Sequence, residues 1–452
     1  MSNFLPSDLL QKLSSLFSEA ELSAFVQSHE SNEQVTSIRI NPKKFDAASL
    51  AYEQVPWCDT GYYLADRPIF TLDPLFHAGA YYVQEASSMF IAHLLQQLGL
   101  TKEGIKALDL CAAPGGKSTL LNSYLHSSSL LVSNEIIKSR VGMLADNLTK
   151  WGNPNIVVSN NDPSAFARLP AFFDLLLVDA PCSGSGMFRK DKKSREEWSP
   201  ANVQLCSMRQ KRILADSLST LSENGWLFYS TCSYSNEENE EICDWLVDEY
   251  AMEPVAVDIP STWGIVETLS VKHRAPGYRF YPHRLSGEGF FIAVLRKTSP
   301  EQTLKIKKGK NTKPPIDLAL LSAWVDDPTD LHFFALGDDI LFLPDEHTTS
   351  LQLLQQQLYL KKAGTRAGTP IKKQFVPHHE LAMSNRINPD IPKTDLTLKQ
   401  ALEYLRKNDV GIVSGERAWM LASYLNHPLG WLKLLGNRAN NYYPKELRIV
   451  NL

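Results

Sequence analysis

The sequence predicts an α/β protein built on a doubly wound, mostly parallel sheet of seven strands, with an N-terminal α+β extension and small C-terminal α+β modules. Two observations predict this fold. From residue 105 onward, short apolar runs alternate with segments of helical periodicity. The apolar runs are nearly continuous, as in FFDLLLVDAP at 172–181, which is typical of strands covered on both faces. The predicted strands are 105–113, 130–136, 155–161, 172–181, 225–233, 252–258 and 289–297.

Helical segments connect these strands. Amphipathic patterns predict helices at 117–126, 138–152, 203–221 and 236–250, and the last strand follows a long connection without a helical pattern. In such a sheet, ligands bind beyond the carboxyl ends of the strands.

Segments outside this core differ in composition. Two helices within 3–28, a strand in 36–44 and a helix at 83–100 form the predicted N-terminal extension. KIKKGKNTKPP at 305–315 is polar, basic and proline-ended, as linkers are. We therefore expect five segments: an N-terminal helical and α+β extension (1–100), the core (101–297), a basic linker (298–315), a small α+β module (316–386) and a second small module (387–452).

Composition and charge bound the class of protein. Of 452 residues, 43% are hydrophobic, enough for a sizeable core, and no apolar run is long enough to predict a membrane span. The net charge is −4, yet residues 296–452 carry 22 Lys and Arg against 16 Asp and Glu. A basic tail suits RNA binding and, equally, solubility. The six cysteines form no C-x-x-C pair, which favours free thiols in a reducing cytoplasm.

A turn of small residues follows the first core strand, in the run Asp109-Leu110-Cys111-Ala112-Ala113-Pro114-Gly115-Gly116-Lys117. Small residues let the backbone approach a ligand and expose its amides. The turn has neither the G-x-G-x-x-G nor the Walker pattern, which weakens dinucleotide and nucleoside triphosphate interpretations.

Two carboxylates follow the next two strands. Glu135 ends the second strand, where an acidic residue can accept hydrogen bonds from ribose hydroxyls, and Asp162 follows the third, where it can hold an adenine edge. A glycine turn or a lone carboxylate is more often structural. Three such features at consecutive strand ends favour a site for a nucleoside ligand.

Two cysteines lie where the fourth and fifth strands end. Cys182 follows Asp179-Ala180-Pro181, and Cys232 follows Ser230-Thr231. A free cysteine is more often an inert, buried apolar residue, and Cys206, Cys243 and Cys58 are interpreted in that way. Cys111 belongs to the small-residue turn, where we expect its backbone to matter more than its thiol.

The motifs DLCAAPGGK, VDAPCSGSGMFRK and STCSYSNEENE together resemble the Nop/Sun family of RNA cytosine-C5 methyltransferases, whose hallmark is the pair Pro181-Cys182 and Thr231-Cys232. SIRINPKK, GAYYVQEASSM and RFYPHRLSGEGFFIAVLRK are also similar to segments of that family. The resemblance implies a Rossmann-like methyltransferase core that uses S-adenosyl-L-methionine on RNA. The cofactor residues that it implies are Cys111, Ala112, Ala113, Pro114, Gly115, Gly116, Lys117, Glu135, Asp162 and Asp179.

The resemblance also implies that the extension (1–100) binds RNA, and it implies catalytic roles for the two cysteines. Cys232 is the nucleophile, and Cys182 assists proton removal and release of the adduct. Cytosine C5 is a weak nucleophile, and a thiolate that adds to C6 converts the ring into a reactive enamine. Asp179 can hold the protonated ring edge, and Lys117 can lower a thiol pKa or contact the base. We assign no metal ligand.

The C-terminal run GWLKLLGNRANNYYPKELR at 430–448 is similar to the PUA-like end of bacterial family members that modify small-subunit ribosomal RNA. This similarity implies 16S ribosomal RNA, or the small subunit, as partner. Asn441, Tyr442, Tyr443, Lys445 and Arg448 fit an RNA-stacking surface and, equally, a tyrosine-rich core with solvated cations.

A second cationic run, from Phe188 to Arg195, has five cations close to Cys182 and is expected to attract phosphates. Two alternatives stay open: the same chemistry on transfer RNA, and a non-catalytic RNA-binding assembly factor. The intact cysteine motifs argue against the second. We expect a cytoplasmic monomer, because a ribosome would supply the partner surface.

Overall fold

The computed structural model describes residues 5–31, 34–47, 51–301, 318–372 and 374–450. The predicted basic run at 305–315 lies outside the described residues. Among the described residues, no helix combines the length and the apolar character needed to cross a membrane.

The N-terminal extension contains a small antiparallel sheet and four helices. β1 lies between β2 and β3. The predicted helix at 83–100 begins later than expected, because the Glu85 carboxylate accepts the Ser87 and Ser88 amides and a 3-10 turn precedes the helix. The elements are α1 (Ser7–Leu13), α2 (Glu19–Glu30), β1 (Thr36–Ile40), β2 (Gly61–Leu64), α3 (Pro74–Ala78), β3 (Tyr81–Val83) and α4 (Ile91–Gln97).

The core alternates strands and helices as predicted. All seven expected strands are present, and most are shorter than the apolar runs that predicted them. The elements are β4 (Lys106–Asp109), α5 (Gly116–Tyr124), β5 (Leu130–Asn134), α6 (Lys138–Trp151), β6 (Ile156–Ser159), β7 (Phe173–Asp179), α7 (Lys192–Glu197), α8 (Pro200–Ser217), β8 (Leu221–Thr231), α9 (Glu240–Tyr250), β9 (Met252–Pro254), β10 (Val266–Leu269), β11 (Pro276–Phe280) and β12 (Phe290–Lys297).

The C-terminal part contains two four-stranded sheets, with orders β13-β14-β16-β17 and β18-β19-β20-β21. The elements are α10 (Leu318–Leu321), β13 (Leu331–Leu336), β14 (Asp339–Pro344), α11 (Thr348–Gln357), β15 (Leu360–Ala363), β16 (Thr365–Ile371), β17 (Gln374–Pro377), α12 (His379–Met383), β18 (Lys393–Asp395), α13 (Leu398–Leu405), β19 (Trp419–Tyr424), β20 (His427–Leu434) and β21 (Ala439–Asn441).

The core sheet runs in the order β10-β11-β12-β8-β7-β4-β5-β6-β15, with β9 paired to β12. Strands β4 to β8 are parallel, and β12 is antiparallel to β8. The chain moves from β4 outward through β5 and β6, and then returns to the other side of β4 with β7 and β8. The loops after β4 and β7 therefore face each other at a topological switch point, where doubly wound sheets bind ligands.

Three strands extend the sheet beyond the predicted seven. β10 and β11 add a hairpin beside β12, and β15 pairs antiparallel with β6. Leu351 and Leu354 of α11 are buried in the same apolar cluster as core strands β7 and β8. The segment that follows the linker thus completes one edge of the catalytic sheet.

Two cations, Arg39 and Lys44, connect the extension to the rest of the molecule through hydrogen bonds. Arg39 of β1 donates to Gln84 Oε1 (2.8 Å) and Thr119 Oγ1 (2.6 Å) and lies 4.5 Å from the Trp151 ring centroid. Lys44 donates to the carbonyls of Ala78, Lys150 and Met383, at the ends of α3, α6 and α12. Burial lowers the pKa of Lys44 to about 7.

Candidate active site

The small-residue turn between β4 and α5 is held from outside by side chains of α6. Arg140 donates to the Ala113 carbonyl (2.6 Å), and Asn147 donates to the Pro114 carbonyl (2.8 Å). Gly115 has φ 113°, in the region that favours glycine, and a Cβ there would lie 3.3 Å from Leu144. The turn is thus fixed by its neighbours, and its inner side is free to face a ligand.

Asp109 opens this turn and is fully buried. Ser118 donates to its Oδ2 (2.6 Å), while Oδ1 has no hydrogen-bond partner among the described residues. Burial raises the pKa of Asp109 to about 7. In the sequence, Asp109 is recognisable only as the start of the motif, because a local pattern does not show that its side chain is buried.

Glu135 and Asp162 follow β5 and β6 as predicted, but their surroundings differ. Glu135 is 3% exposed, accepts the Ile137 amide (2.8 Å) and lies 3.4 Å from the Arg140 guanidinium. The Asp162 carboxylate accepts the amide and hydroxyl of Ser164, and these hydrogen bonds lower its pKa. The role of Asp162 in holding an adenine edge stays a prediction.

The two cysteines of the paired motifs meet. Cys182 Sγ and Cys232 Sγ lie 3.0 Å apart, although 50 residues separate them in the chain. The pKa of Cys182 lies well above its usual value. The larger cause is the hydrogen bond with Cys232, and the second cause is burial. Cys182 is therefore a thiol at neutral pH and can donate to the sulfur of Cys232.

The other four cysteines lie apart from this pair. Cys58, Cys206 and Cys243 are buried, in agreement with their interpretation as apolar residues. Burial raises the pKa of Cys111, so its side chain is a poor source of thiolate. The two reactive candidates are thus the ones that follow β7 and β8.

An ion pair lies beside the two thiols. Lys117 Nζ donates to Asp179 Oδ2 (2.7 Å), and Ser230 Oγ donates to Asp179 Oδ1 (2.9 Å). Burial disfavours the ammonium, but the adjacent Asp179 carboxylate outweighs it and raises the pKa of Lys117. Lys117 is therefore a fixed cation, 5.5 Å from the centroid of the Phe290 ring.

Two cavities meet at these groups. The first, of about 530 Å³, lies beside Glu135, Ile136 and Pro163. The second, of about 330 Å³, lies beside Lys117, Phe290 and the inner side of the small-residue turn. The residues that line both cavities are Cys111, Ala113, Asp179, Met187 and Cys232.

A buried carboxylate that sequence reasoning missed holds the two cysteine loops together. Glu238 accepts the Ser183 amide (2.7 Å), the Ser183 hydroxyl (2.6 Å) and the Ser233 hydroxyl (2.5 Å). Each serine directly follows one of the two cysteines. Gln210 donates a longer hydrogen bond to the same carboxylate (3.3 Å). Glu238 lies in the acidic run after Cys232, where its neighbours suggested only a solvated helix face.

The two predicted cationic surfaces are only partly as expected. Arg189 points inward, with 7% of its side chain exposed and its guanidinium 3.9 Å from Glu288, while Lys192 is 78% exposed. In the tail, Tyr443 is buried and Tyr442 is exposed, with its ring centroid 4.5 Å from that of Trp419. Each run therefore divides between core and surface.

Three family models match the chain. The model for 16S rRNA methyltransferase RsmB/F matches residues 96–296. The model for the N-terminal domain of 16S rRNA methyltransferase RsmF matches residues 5–86, and the model for the methyltransferase RsmF PUA domain matches residues 391–449. Together they match the extension, the core and the C-terminal sheet.

Relatives match over nearly the whole chain. Ribosomal RNA small subunit methyltransferase F of Vibrio cholerae is 30% identical over 438 residues, which cover 91% of this chain and 90% of that protein. The protein of the same name from Vibrio atlanticus is 29% identical over 472 residues, which cover 98% of each. The likeness therefore extends well beyond the cysteine motifs.

Solved structures resemble about two thirds of the chain. A methyltransferase homologue from Pyrococcus horikoshii is 26% identical, with a TM-score of 0.52, and the match covers 65% of this chain and all of that one. NSun6 from Pyrococcus horikoshii, solved with SFG, has a TM-score of 0.55 at 20% identity, covering 65% of this chain and 98% of that one. The second likeness shows the fold alone.

Proposed function

This chain belongs to the family of small-subunit ribosomal RNA methyltransferases F, as the resemblance of its motifs predicts, and on that premise we propose that it methylates cytosine C5 in 16S ribosomal RNA through a covalent Cys232 adduct. The observation that carries the proposal is the thiol pair, with sulfur atoms 3.0 Å apart, next to two cavities that both contact Cys232. A methyl donor in the first cavity and a base in the second can thus meet beside the Cys232 sulfur.

The first cavity suits S-adenosyl-L-methionine. Apolar side chains of Ile136 and Pro163 offer flat contact for an adenine ring, and Glu135 offers acceptor oxygens for ribose hydroxyls. Arg140 lies 3.4 Å from the Glu135 carboxylate and helps to fix its orientation. When bound, this cofactor supplies an electrophilic methyl group. We assign its binding to the turn at 111–117 and to Glu135, Asp162 and Asp179.

The thiol pair suits covalent catalysis. Cys182 keeps its proton and donates to the Cys232 sulfur, and such a hydrogen bond stabilises negative charge on the acceptor. Addition of the Cys232 thiolate to C6 makes C5 nucleophilic. After methylation the C5 proton must leave and the C6–sulfur bond must break. Cys182 lies 3.0 Å from Cys232, so its thiol can give its proton to the departing Cys232 sulfur, and the Cys182 sulfur then takes up the C5 proton.

The ion pair suits recognition of the ring in the second cavity. The Asp179 carboxylate can accept from the protonated N3 or the amino group of cytosine, groups that uracil does not offer in the same arrangement. Lys117 and Ser230 each donate to one oxygen of this carboxylate and fix its orientation. The Phe290 ring provides an apolar wall against which a base can pack.

The family is named for ribosomal RNA, which favours that target over transfer RNA and over a non-catalytic assembly role. The basic tail and the exposed cations of α7 support RNA as the partner. We propose that the chain acts as a monomer in the cytoplasm.

The test uses methyl-labelled S-adenosylmethionine with assembled small subunits, free 16S ribosomal RNA and bulk transfer RNA in parallel. We expect label in 5-methylcytidine of small-subunit RNA. Label found only in transfer RNA would refute the target. Cofactor binding without label in any of the three RNAs would refute the enzymatic function in favour of the binding factor.

A further inference from the structure

A groove on the N-terminal extension continues from the second cavity. It has a volume of about 330 Å³, and its lining includes Thr36, Arg67 and Lys190. That volume lies at the low end of the range of about 300–1,000 Å³ typical of small-ligand pockets. We call it the flank groove. Apart from Lys190, which ends the motif that carries Cys182, none of its lining residues belongs to the cysteine motifs or to the small-residue turn.

The flank groove and the second cavity share one wall. Val83, Gln84 and Glu85, at the end of β3, line both. A polymer whose base lies near Cys232 in the second cavity would therefore pass into the flank groove within one residue of its chain. A free small molecule would have no reason to occupy two adjoining spaces at once.

The flank groove offers donors that suit a sugar–phosphate backbone. Thr36 is 4% exposed, and its hydroxyl has no hydrogen-bond partner within the described part of the chain. Arg67 and Lys190 supply two cations from different segments. Arginine and lysine are the common partners of phosphate oxygens in RNA complexes.

Two polar side chains of the groove, those of Gln84 and Glu85, are already hydrogen-bonded. The Gln84 side chain accepts from Arg39 and donates to Ser88. The Glu85 carboxylate accepts three backbone amides, including that of Glu288 (2.8 Å). These groups have little capacity left to read a base edge, so the groove suits contacts that do not depend on sequence.

We propose that the flank groove binds the nucleotide directly next to the target cytidine, with Arg67 and Lys190 on its phosphate and the Thr36 hydroxyl on its ribose or phosphate. This inference rests on the proposed RNA substrate and names a subsite for it. The N-terminal extension would then hold the substrate strand beside the reactive thiols.

Salt-dependent binding tests the phosphate contacts. The probe is a fluorescent single-stranded RNA nonamer with one central cytidine, titrated by anisotropy at several KCl concentrations. Because each phosphate contact on single-stranded RNA contributes about −0.7 to the slope of log K against log salt, we expect Arg67→Gln to reduce the slope by about 0.7. Lys190→Gln should do the same, although Lys190 also lies 3.6 Å from Glu288, so Arg67→Gln is the cleaner variant.

Lys102→Gln provides the matched control. Lys102 is exposed just before β4, at the opposite edge of the sheet from the two thiols, and its slope should equal that of the wild type. Equal slopes for wild type and both groove variants would overturn the proposal. An effect seen with assembled subunits but not with the nonamer would also overturn it, in favour of a contact to ribosomal protein.

Photo-crosslinking tests the position. 4-Thiouridine is placed directly before or after the cytidine of the nonamer, and crosslinked peptides are mapped. Crosslinks to residues 34–37, to Arg67 or to Lys190 support the proposal, and crosslinks confined to segments that do not line the groove overturn it. Neither measurement needs methyl transfer, so the groove can fail while the proposed activity stands. Absence of 5-methylcytidine from the wild-type enzyme in the labelling test would be a failure of the proposed function itself.

Discussion

Replacing Glu238 by glutamine should separate the placement of the two thiols from the stability of the fold. Glu238 accepts hydrogen bonds from both loops that carry the cysteines. An amide has only one acceptor oxygen, so the variant cannot keep all of these bonds. Hydrogen bonds to a charged group contribute about 1.5–3 kcal/mol each, and we expect a net loss of about 2 kcal/mol of unfolding free energy. Once the hydrogen bonds between residue 238 and the two cysteine loops are weakened, the sulfur atoms of Cys182 and Cys232 should move apart.

A displacement of about 1 Å in a catalytic group can lower a rate about 100-fold. We therefore expect Glu238→Gln to lower kcat for 5-methylcytidine formation by about 10- to 100-fold, with KM for S-adenosylmethionine unchanged. The assay is single-turnover methylation at a temperature where circular dichroism shows the variant folded. Glu238 lines neither cavity. A loss of stability alone, without movement of the two thiols, would therefore leave kcat close to that of the wild type.

Glu240→Gln is the matched control. Glu240 lies two residues further on and is also buried, but it pairs with Arg279 and Thr268 and not with the cysteine loops. Breaking a buried ion pair costs about 3–5 kcal/mol, so this variant should lose at least as much stability. Its kcat should stay close to the wild-type value. Equal losses of kcat in the two variants would refute the reasoning, because stability alone would then explain both.

Four further variants provide three more tests. Cys182→Ala should accumulate a covalent RNA adduct on a denaturing gel and Cys232→Ala should not, and equal trapping by both would contradict their roles. Burial raises the pKa of Asp109 in the folded protein to about 7. Its contribution to the free energy of unfolding is therefore complete below the unfolded pKa of about 3.9, and it decreases by about 1.4 kcal/mol per pH unit as the pH rises to about 7. Urea unfolding from pH 4 to 8 should show this decrease in wild type and not in Asp109→Asn, and parallel profiles would contradict it. Lys44→Met leaves three carbonyls without their donor and should cost about 3 kcal/mol in thermal unfolding, with cofactor affinity unchanged. An unaltered unfolding temperature would show that the three contacts contribute little.

The sequence predicted those parts of the fold that local patterns determine. Strands β4 to β8 are apolar runs next to helical patterns, and the candidate site residues follow their carboxyl ends. The placement of Cys182 and Cys232 beside the small-residue turn was therefore expected from the topology of a parallel sheet. β15 could not be found in this way. It is four residues long, and its partner β6 lies about 200 residues earlier in the chain, so no local pattern marks the pairing.

The candidate site was predictable to the extent that its residues lie in motifs. Cys182 and Cys232 could be assigned, but their 3.0 Å separation depends on Glu238, whose acidic neighbours resemble a solvated helix face. Arg189 shows the opposite error, since a run of cations predicted a phosphate-binding surface and burial turns this one inward. Burial depends on which distant segment covers a residue, and a single sequence does not contain that information.

The N-terminal extension lines part of the candidate active site. The end of β3 supplies Val83 and Gln84 to the wall of the second cavity. Gln84 is fixed by Arg39, which also donates to Thr119 in α5, two residues beyond Lys117. A change in the extension would therefore reach the base-binding wall and the small-residue turn together. The helix and strand periodicity of the sequence places a boundary at residue 100. The contacts between the extension and the core nevertheless join these two parts at the candidate active site.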